Sequence, residues 1–146
     1  TNNLDFNIVV AHVNHMIREE AGEDLEFVKK FCNKIGVEFY SKSIDIQKIA
    51  NTNKIGTEEA GRNARYEFFD EILEKTNSNK IAIAHNKNDK VETIIMNMLR
   101  GSGIAGLKGI EPIKNNKYIR PLIKCERYEI ENYCKEKNKK YNHSIH

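Results

Sequence analysis

A histidine and two carboxylates fall close together in the run KIAIAHNKNDKVETIIMNMLRGSGIAG, which extends from Lys80 to Gly106: they are His85, Asp89 and Glu92. On a helix Asp89 and Glu92 share a face, and two hard oxygen ligands near a helix start suit a Mg²⁺ ion set between them and the phosphates of a nucleotide. The same spacing serves an ordinary helix start, with Asn88 and Asp89 as caps and Glu92 in a surface pair. His85, at the end of the preceding apolar run, polarises a substrate in the first reading and satisfies a backbone group in the second. Spacing alone leaves both open.

Three further groups have the residue types for chemistry. Arg62 and Arg65 are i, i+3 neighbours beside Tyr66, a cationic surface able to hold phosphate or carboxylate, or simply a solvated helix face. Arg100-Gly101-Ser102-Gly103 combines an anion-holding guanidinium with glycines that allow close backbone approach, although a helix stop accounts for the glycines alone. In His12-Val13-Asn14-His15 two imidazoles end an apolar run. The run on to Arg18 offers no third ligand, which argues against a metal there.

The elements that must position these groups follow from periodicity. Phe6 to Val13 is a near-continuous β-branched run, read as a strand buried on both faces, and Val37 to Ile44 alternates as a second strand. A helix from about Glu20 to Ile35, closed by Gly36, lies between them. A short helical piece, Ile46 to Ala50, is followed by a helix from Thr57 to Thr76, with Thr57 as cap and Ala60, Ala64, Phe68, Phe69, Ile72 and Leu73 on its core face. Ile81 to Ala84 reads as the next strand. Val91, Ile94, Ile95, Met98 and Leu99 then recur at helical spacing until Arg100-Gly101. Asn115-Asn116 marks a turn before a short strand in Tyr118 to Leu122, and a last helix spans about Glu126 to Lys137. Alternation of this kind predicts an α/β fold with an open, mostly parallel sheet and helices on both faces.

Composition sets the class. The 146 residues carry 24 Lys and Arg against 21 Asp and Glu, a net charge of +3, which neither requires nor excludes nucleic acid. The four lysines between Lys135 and Lys140 read as a solvated helix end. No apolar run approaches a membrane span, and the first residues lack a signal pattern, so a cytoplasmic protein is expected. Three cysteines without a C-x-x-C pair read as free thiols.

The combination E-x-x-x-R-x-x-R-Y (Glu58 to Tyr66), D-x-x-E-T (Asp89 to Thr93) and R-G-S-G-x-x-G-L (Arg100 to Leu107), with AHVNHMIREE before and YIRPLIKCERYEIENYC after, resembles the catalytic domain of the tRNA-isoleucine lysidine synthases, in the PP-loop ATP pyrophosphatase superfamily. That resemblance implies one partial catalytic domain over residues 1–146 of the adenine nucleotide alpha hydrolase-like fold. It implies an ATP- and Mg²⁺-dependent ligase that adenylates carbon 2 of the wobble cytidine in isoleucine tRNA with a CAU anticodon. Lysine then displaces AMP. Carried over residue by residue, His12, Val13, Asn14 and His15 would lie beside the adenine. His85, Asp89 and Glu92 would belong to the site for Mg²⁺, ATP and cytidine, with Arg62 as a further catalytic group. Glu58, Arg62, Arg65 and Tyr66 would border lysine and tRNA, and Arg100, Gly101, Ser102, Gly103 and Arg120 would shape the pocket.

Two departures qualify the likeness. Where many relatives read H-H-x-D-D-Q, this chain has His85-Asn86-Lys87-Asn88-Asp89-Lys90, which leaves the metal mainly to Asp89. The phosphate-binding S-G-G-x-D-S turn does not precede the first strand, so this polypeptide by itself is expected neither to hold ATP well nor to catalyse, and its first strand-loop-helix unit is expected to be missing. An uncovered strand edge there could promote a homodimer. The competing readings are a related PP-loop tRNA cytidine thiolase, which isolated cysteines do not favour, and a non-catalytic α/β binding module.

Overall fold

The computed structural model describes residues 7–16, 21–103 and 107–137. Phe6, Arg18, Glu20, Gly106, Lys139 and Lys140, all used above, lie outside the described residues. The chain divides into two compact units, Thr1–Ser78 and Asn79–His146, which are taken in turn.

In the first unit β1 (Val9–Asn14) pairs in parallel with β2 (Glu38–Ser43), from Val9 opposite Glu38 to Asn14 opposite Ser43. The helix α1 (Ala21–Ile35) connects them, and Gly36, at φ 70°, ends it: its N–H bonds the Asn33 carbonyl at 3.3 Å, and that of Val37 bonds Cys32 at 3.0 Å. Contrary to the expectation of a strand buried on both faces, β1 is only half-buried along its whole length. The core instead forms where α2 (Ile46–Asn53) meets α3 (Thr57–Lys75). There Ile46, Ala50, Ala60 and Ala64 are buried together, with Ile44, Ile49 and Ile55 packed around them. Alanines on α3 let the two helices approach closely. Phe68 and Ile72 continue the buried stripe, whereas Phe69 and Leu73 are half-buried. Thr57 does not cap α3. Gly56 occupies that position in extended conformation, and Thr57 is the first helical residue.

In the second unit β3 (Ile81–Ala82) pairs in parallel with β5 (Tyr118–Ile119), and β4 (Ile113–Lys114) pairs with β5 antiparallel. The expected strand to Ala84 shortens to two residues, though the Ile83 N–H still reaches the Ile119 carbonyl at 3.0 Å. The β4–β5 turn is made by Asn115 and Asn116, at φ 53° and 50°, with the Lys117 N–H on the Lys114 carbonyl at 3.1 Å. Two left-handed residues in succession match the right-handed twist of a tight hairpin, and asparagine tolerates that region better than most side chains. The helix α4 (Lys87–Leu99) follows β3, and α5 (Arg127–Glu136) ends the described chain. The apolar stripe of α4 is not core: Val91, Ile95, Met98 and Leu99 are exposed, Leu99 by 83%, and only Ile94 is half-buried. No helix among the described residues is long and apolar enough to cross a membrane.

Candidate functional site

In the first unit the end of β1 bends sharply. Asn14 uses its side-chain oxygen to accept the Met16 N–H at 2.9 Å, and Met16 takes φ 54°, a left-handed conformation that a non-glycine residue adopts at a cost. This turn sends the His15 ring over α3 at Gly61, where an added Cβ would stand 3.0 Å from ring atoms Cε1 and Nδ1. Glycine there admits the imidazole. Burial lowers the pKa of His15, and the charges of Arg65 and His12 lower it further; burial also lowers that of His12, against an opposing pull from Asp24. Arg62 is exposed and stacks over Tyr66 with its guanidinium carbon 5.8 Å from the ring centre, one helical turn along. The first unit therefore gathers His12, His15 and Arg65, and pairs Arg62 with Tyr66. Glu58 is exposed at the first turn of α3.

The histidine shifts have a sign. A histidine whose folded pKa lies below its unfolded value binds fewer protons folded than unfolded between the two pKa values, so stability rises with pH through that window. For His12 and His15 the window opens at their lowered folded values and closes near the ordinary 6.5. Acidification from pH 7.5 to 5 is therefore expected to weaken the first unit, as read by urea midpoints. Replacing both histidines by glutamine should flatten that slope.

In the second unit α4 begins with a reciprocal cap. The Asn86 side chain accepts the Asp89 N–H at 3.1 Å, while Asp89 Oδ2 accepts the Asn86 N–H at 2.8 Å. Asp89 Oδ1 lies 3.5 Å from Arg127 Nη2, and Glu92 Oε1 lies 3.7 Å from the same nitrogen. The two acids do share a face, and they converge on a cation, which is the guanidinium of Arg127. Asn88 caps the other helix: its Oδ1 accepts the Arg127 N–H at 2.9 Å, and Lys87 pairs with Glu126 at 2.6 Å. Glu126 raises the Lys87 pKa through that hydrogen bond. The Lys87 N–H also bonds the Cys125 carbonyl at 2.9 Å. The starts of α4 and α5 are thus stitched to each other.

His85 meets Arg120, which is 6% exposed and whose Nε–H donates to His85 Nδ1 at 3.1 Å. Arg120 Nη1 also donates to the Glu111 carbonyl at 2.6 Å. At the far end of α4, Gly101 at φ 71° closes the helix, with its N–H on Met98 and that of Ser102 on Asn97, both at 3.0 Å. Arg100 caps this end with an exposed side chain that has no ion-pair partner among the described residues. Gly103 also has a positive φ, 60°. Among the described residues no cluster of three or more His, Cys, Asp or Glu could hold a metal, and Cys32, Cys125 and Cys134 are free thiols. Arg127 and Glu111 are the contributors that sequence reading missed. Arg127 carried no signal, because the residues it joins lie far upstream.

Parallel strand pairs joined through helices make this an α/β protein, and the chain belongs to the PP-loop domain family, whose model it matches over residues 1–144. It is 53% identical over 131 residues to the tRNA(Ile)-lysidine synthase of Clostridium acetobutylicum, covering 89% of this chain and 28% of that protein. To the synthase of the same name from Petrotoga mobilis it is 44% identical over 147 residues, covering 97% of this chain and 47% of that one. The chain therefore spans less than half the length of these relatives. Among solved structures it is similar to the U34-tRNA thiolase NcsA from Methanococcus maripaludis with its [4Fe-4S] cluster, with a TM-score of 0.73 at 19% identity over 96% of this chain and 50% of that one. At that identity the likeness speaks for the fold.

Proposed function

We propose that this chain supplies part of the PP-loop catalytic domain of a cytoplasmic tRNA(Ile)-lysidine synthase, acting as one copy or a pair. ATP adenylates carbon 2 of the wobble cytidine with loss of pyrophosphate, and the side-chain amine of lysine then displaces AMP. The observation that carries this reading is the likeness, over nearly the whole chain, to enzymes bearing that name. The two carboxylates at the head of α4 support it. Asp89 and Glu92 would hold Mg²⁺, for they are hard oxygen donors already converging on a positive group, and the ion would supply charge neutralisation at the phosphates. The fit is chemical, and it requires Arg127 to yield its place.

In the same reading His12 to His15 contact the adenine, while Glu58, Arg62, Arg65 and Tyr66 face lysine and tRNA. Arg100 to Gly103 hold an anionic group, and Arg120 acts from behind His85.

The test is a chimera. The matched segment of this chain replaces its counterpart in the Clostridium acetobutylicum protein, and the product is incubated with ATP, lysine and an isoleucine tRNA bearing a CAU anticodon. Lysidine at the wobble position is expected from the chimera, with little or none from this chain alone. A folded chimera that releases no pyrophosphate and makes no lysidine overturns the reading, and sulfur appearing in the tRNA would favour the thiolase alternative.

A further inference from the structure

We infer that Arg120 locks His85 as the neutral tautomer with its proton on Nε2, which makes His85 a hydrogen-bond donor to an oxygen of the bound substrates and removes it from the role of general base. The inference deepens the function proposed above and rests on that reading for the identity of the oxygen.

The starting point is Arg120 itself. Its residue follows β5 directly, its backbone N–H bonds the Pro112 carbonyl at 2.9 Å, and its side chain is almost fully buried. Burying a guanidinium normally calls for a carboxylate, yet among the described residues Arg120 makes no ion pair. Its polar partners are a carbonyl, from Glu111, and the ring nitrogen of His85. A guanidinium has only N–H donors, no lone pair to accept with, and does not lose its proton in a protein. Nδ1 of His85 must therefore be the acceptor in that 3.1 Å bond. A neutral imidazole carries one proton, which is left for Nε2. A second proton, on Nδ1, would set N–H against N–H and two positive charges side by side with little solvent to screen them.

The chemical consequence is specific. A ring that donates from Nε2 and has Nδ1 engaged cannot take a proton from an incoming amine without breaking the Arg120 bond. It can stabilise negative charge on an oxygen, and the buried cation behind it polarises the N–H in that direction. In the proposed reaction such an oxygen belongs to the phosphate group or to the cytidine carbonyl. Arg120 is then a positioning residue, which acts through the ring it orients.

Ring ¹⁵N NMR of the full chain decides the matter without any substrate. The His85 signals are assigned by their disappearance in His85→Gln. At pH 7.5 His85 is expected to show a protonated Nε2 and an unprotonated Nδ1, with the other tautomer below one tenth. In Arg120→Met, the Nδ1–H form should rise several-fold. Should that variant fail to fold, Arg120→Gln keeps an amide donor in place and should preserve most of the preference. A proton on Nδ1 in the wild-type chain, or a tautomer ratio unmoved in a folded Arg120→Met, overturns the inference. In the chimera, His85→Gln can still donate from its amide and is expected to keep more activity than His85→Ala; equal loss in both would also count against a donor role. The tautomer is read with no tRNA present, so an intact lock with no lysidine formed sinks the proposed function, and lysidine formed without the lock sinks only the inference.

Discussion

Exchanging Gly109 for alanine is expected to destabilise the second unit by about 2–5 kcal/mol, the sum of a left-handed backbone penalty and overpacking against a helix. Gly109 sits at φ 60°, where a Cβ is disfavoured whatever the space. The space is also missing: that Cβ would stand 2.7 Å from Ile94 Cγ1, 3.1 Å from Ile94 Cδ1 and 3.3 Å from the Lys90 carbonyl oxygen. Ile94 is the one residue of the α4 apolar stripe that is half-buried, so the contact that excludes the methyl also holds that stripe to the unit. Urea unfolding followed by tyrosine fluorescence reads the loss, since the chain has six tyrosines and no tryptophan. Ile94→Ala, which removes both clashing carbons, should recover the steric share in a double-mutant cycle with Gly109→Ala and leave the backbone share. No recovery would assign the whole effect to φ.

Asp89→Asn separates architecture from chemistry. The amide keeps an oxygen able to accept the Asn86 N–H, so the reciprocal cap survives and stability should fall by less than the ~1 kcal/mol typical of losing a cap altogether. The charge that faces Arg127 and, in the proposed reaction, Mg²⁺ is gone. Lysidine formation by the chimera is expected to drop by about a hundredfold or more, on the scale of losing one preorganised electrostatic partner of the transition state. Asp89→Ala should match that loss and add the cap's worth of instability. An Asp89→Asn chimera with full activity would leave Asp89 as a helix cap and nothing else.

Most of the element order was legible because it rests on local rules. The helical period across Thr57 to Thr76, the alternation from Val37, the glycines at 36 and 101 and the asparagine pair at 115 and 116 each reflect one residue's effect on its own neighbourhood. What sequence could not supply was the identity of distant partners. The period of Val91, Ile95, Met98 and Leu99 reports that one side of α4 is apolar, and it cannot say whether anything covers that side. In the reading of an ordinary helix start, Asn88 and Asp89 cap α4; Asp89 does so, but its partner is Asn86, because two amides so close together differ only in the backbone angle that precedes the helix. Thr57 lost its capping role to Gly56 for the same reason. At the site, the types and spacing of Asp89 and Glu92 correctly implied a shared face, while the guanidinium between them comes from a residue of the last helix.

The interlock between the first turns of α4 and α5 has a kinetic meaning. Lys87 reaches Glu126, and Asn88 reaches Arg127, each across a separation of 39 residues. The Asn115–Asn116 hairpin closes within a handful. Loop-closure entropy grows with the length of chain enclosed, so the hairpin can form early and cheaply, whereas the helix starts and the β3–β5 pairing, Ile81 opposite Tyr118, each close a far longer segment. The carboxylates at the head of α4 are consequently set by the same long-range closure that aligns β3 with β5, and a faulty search would be felt at both while the hairpin stayed intact.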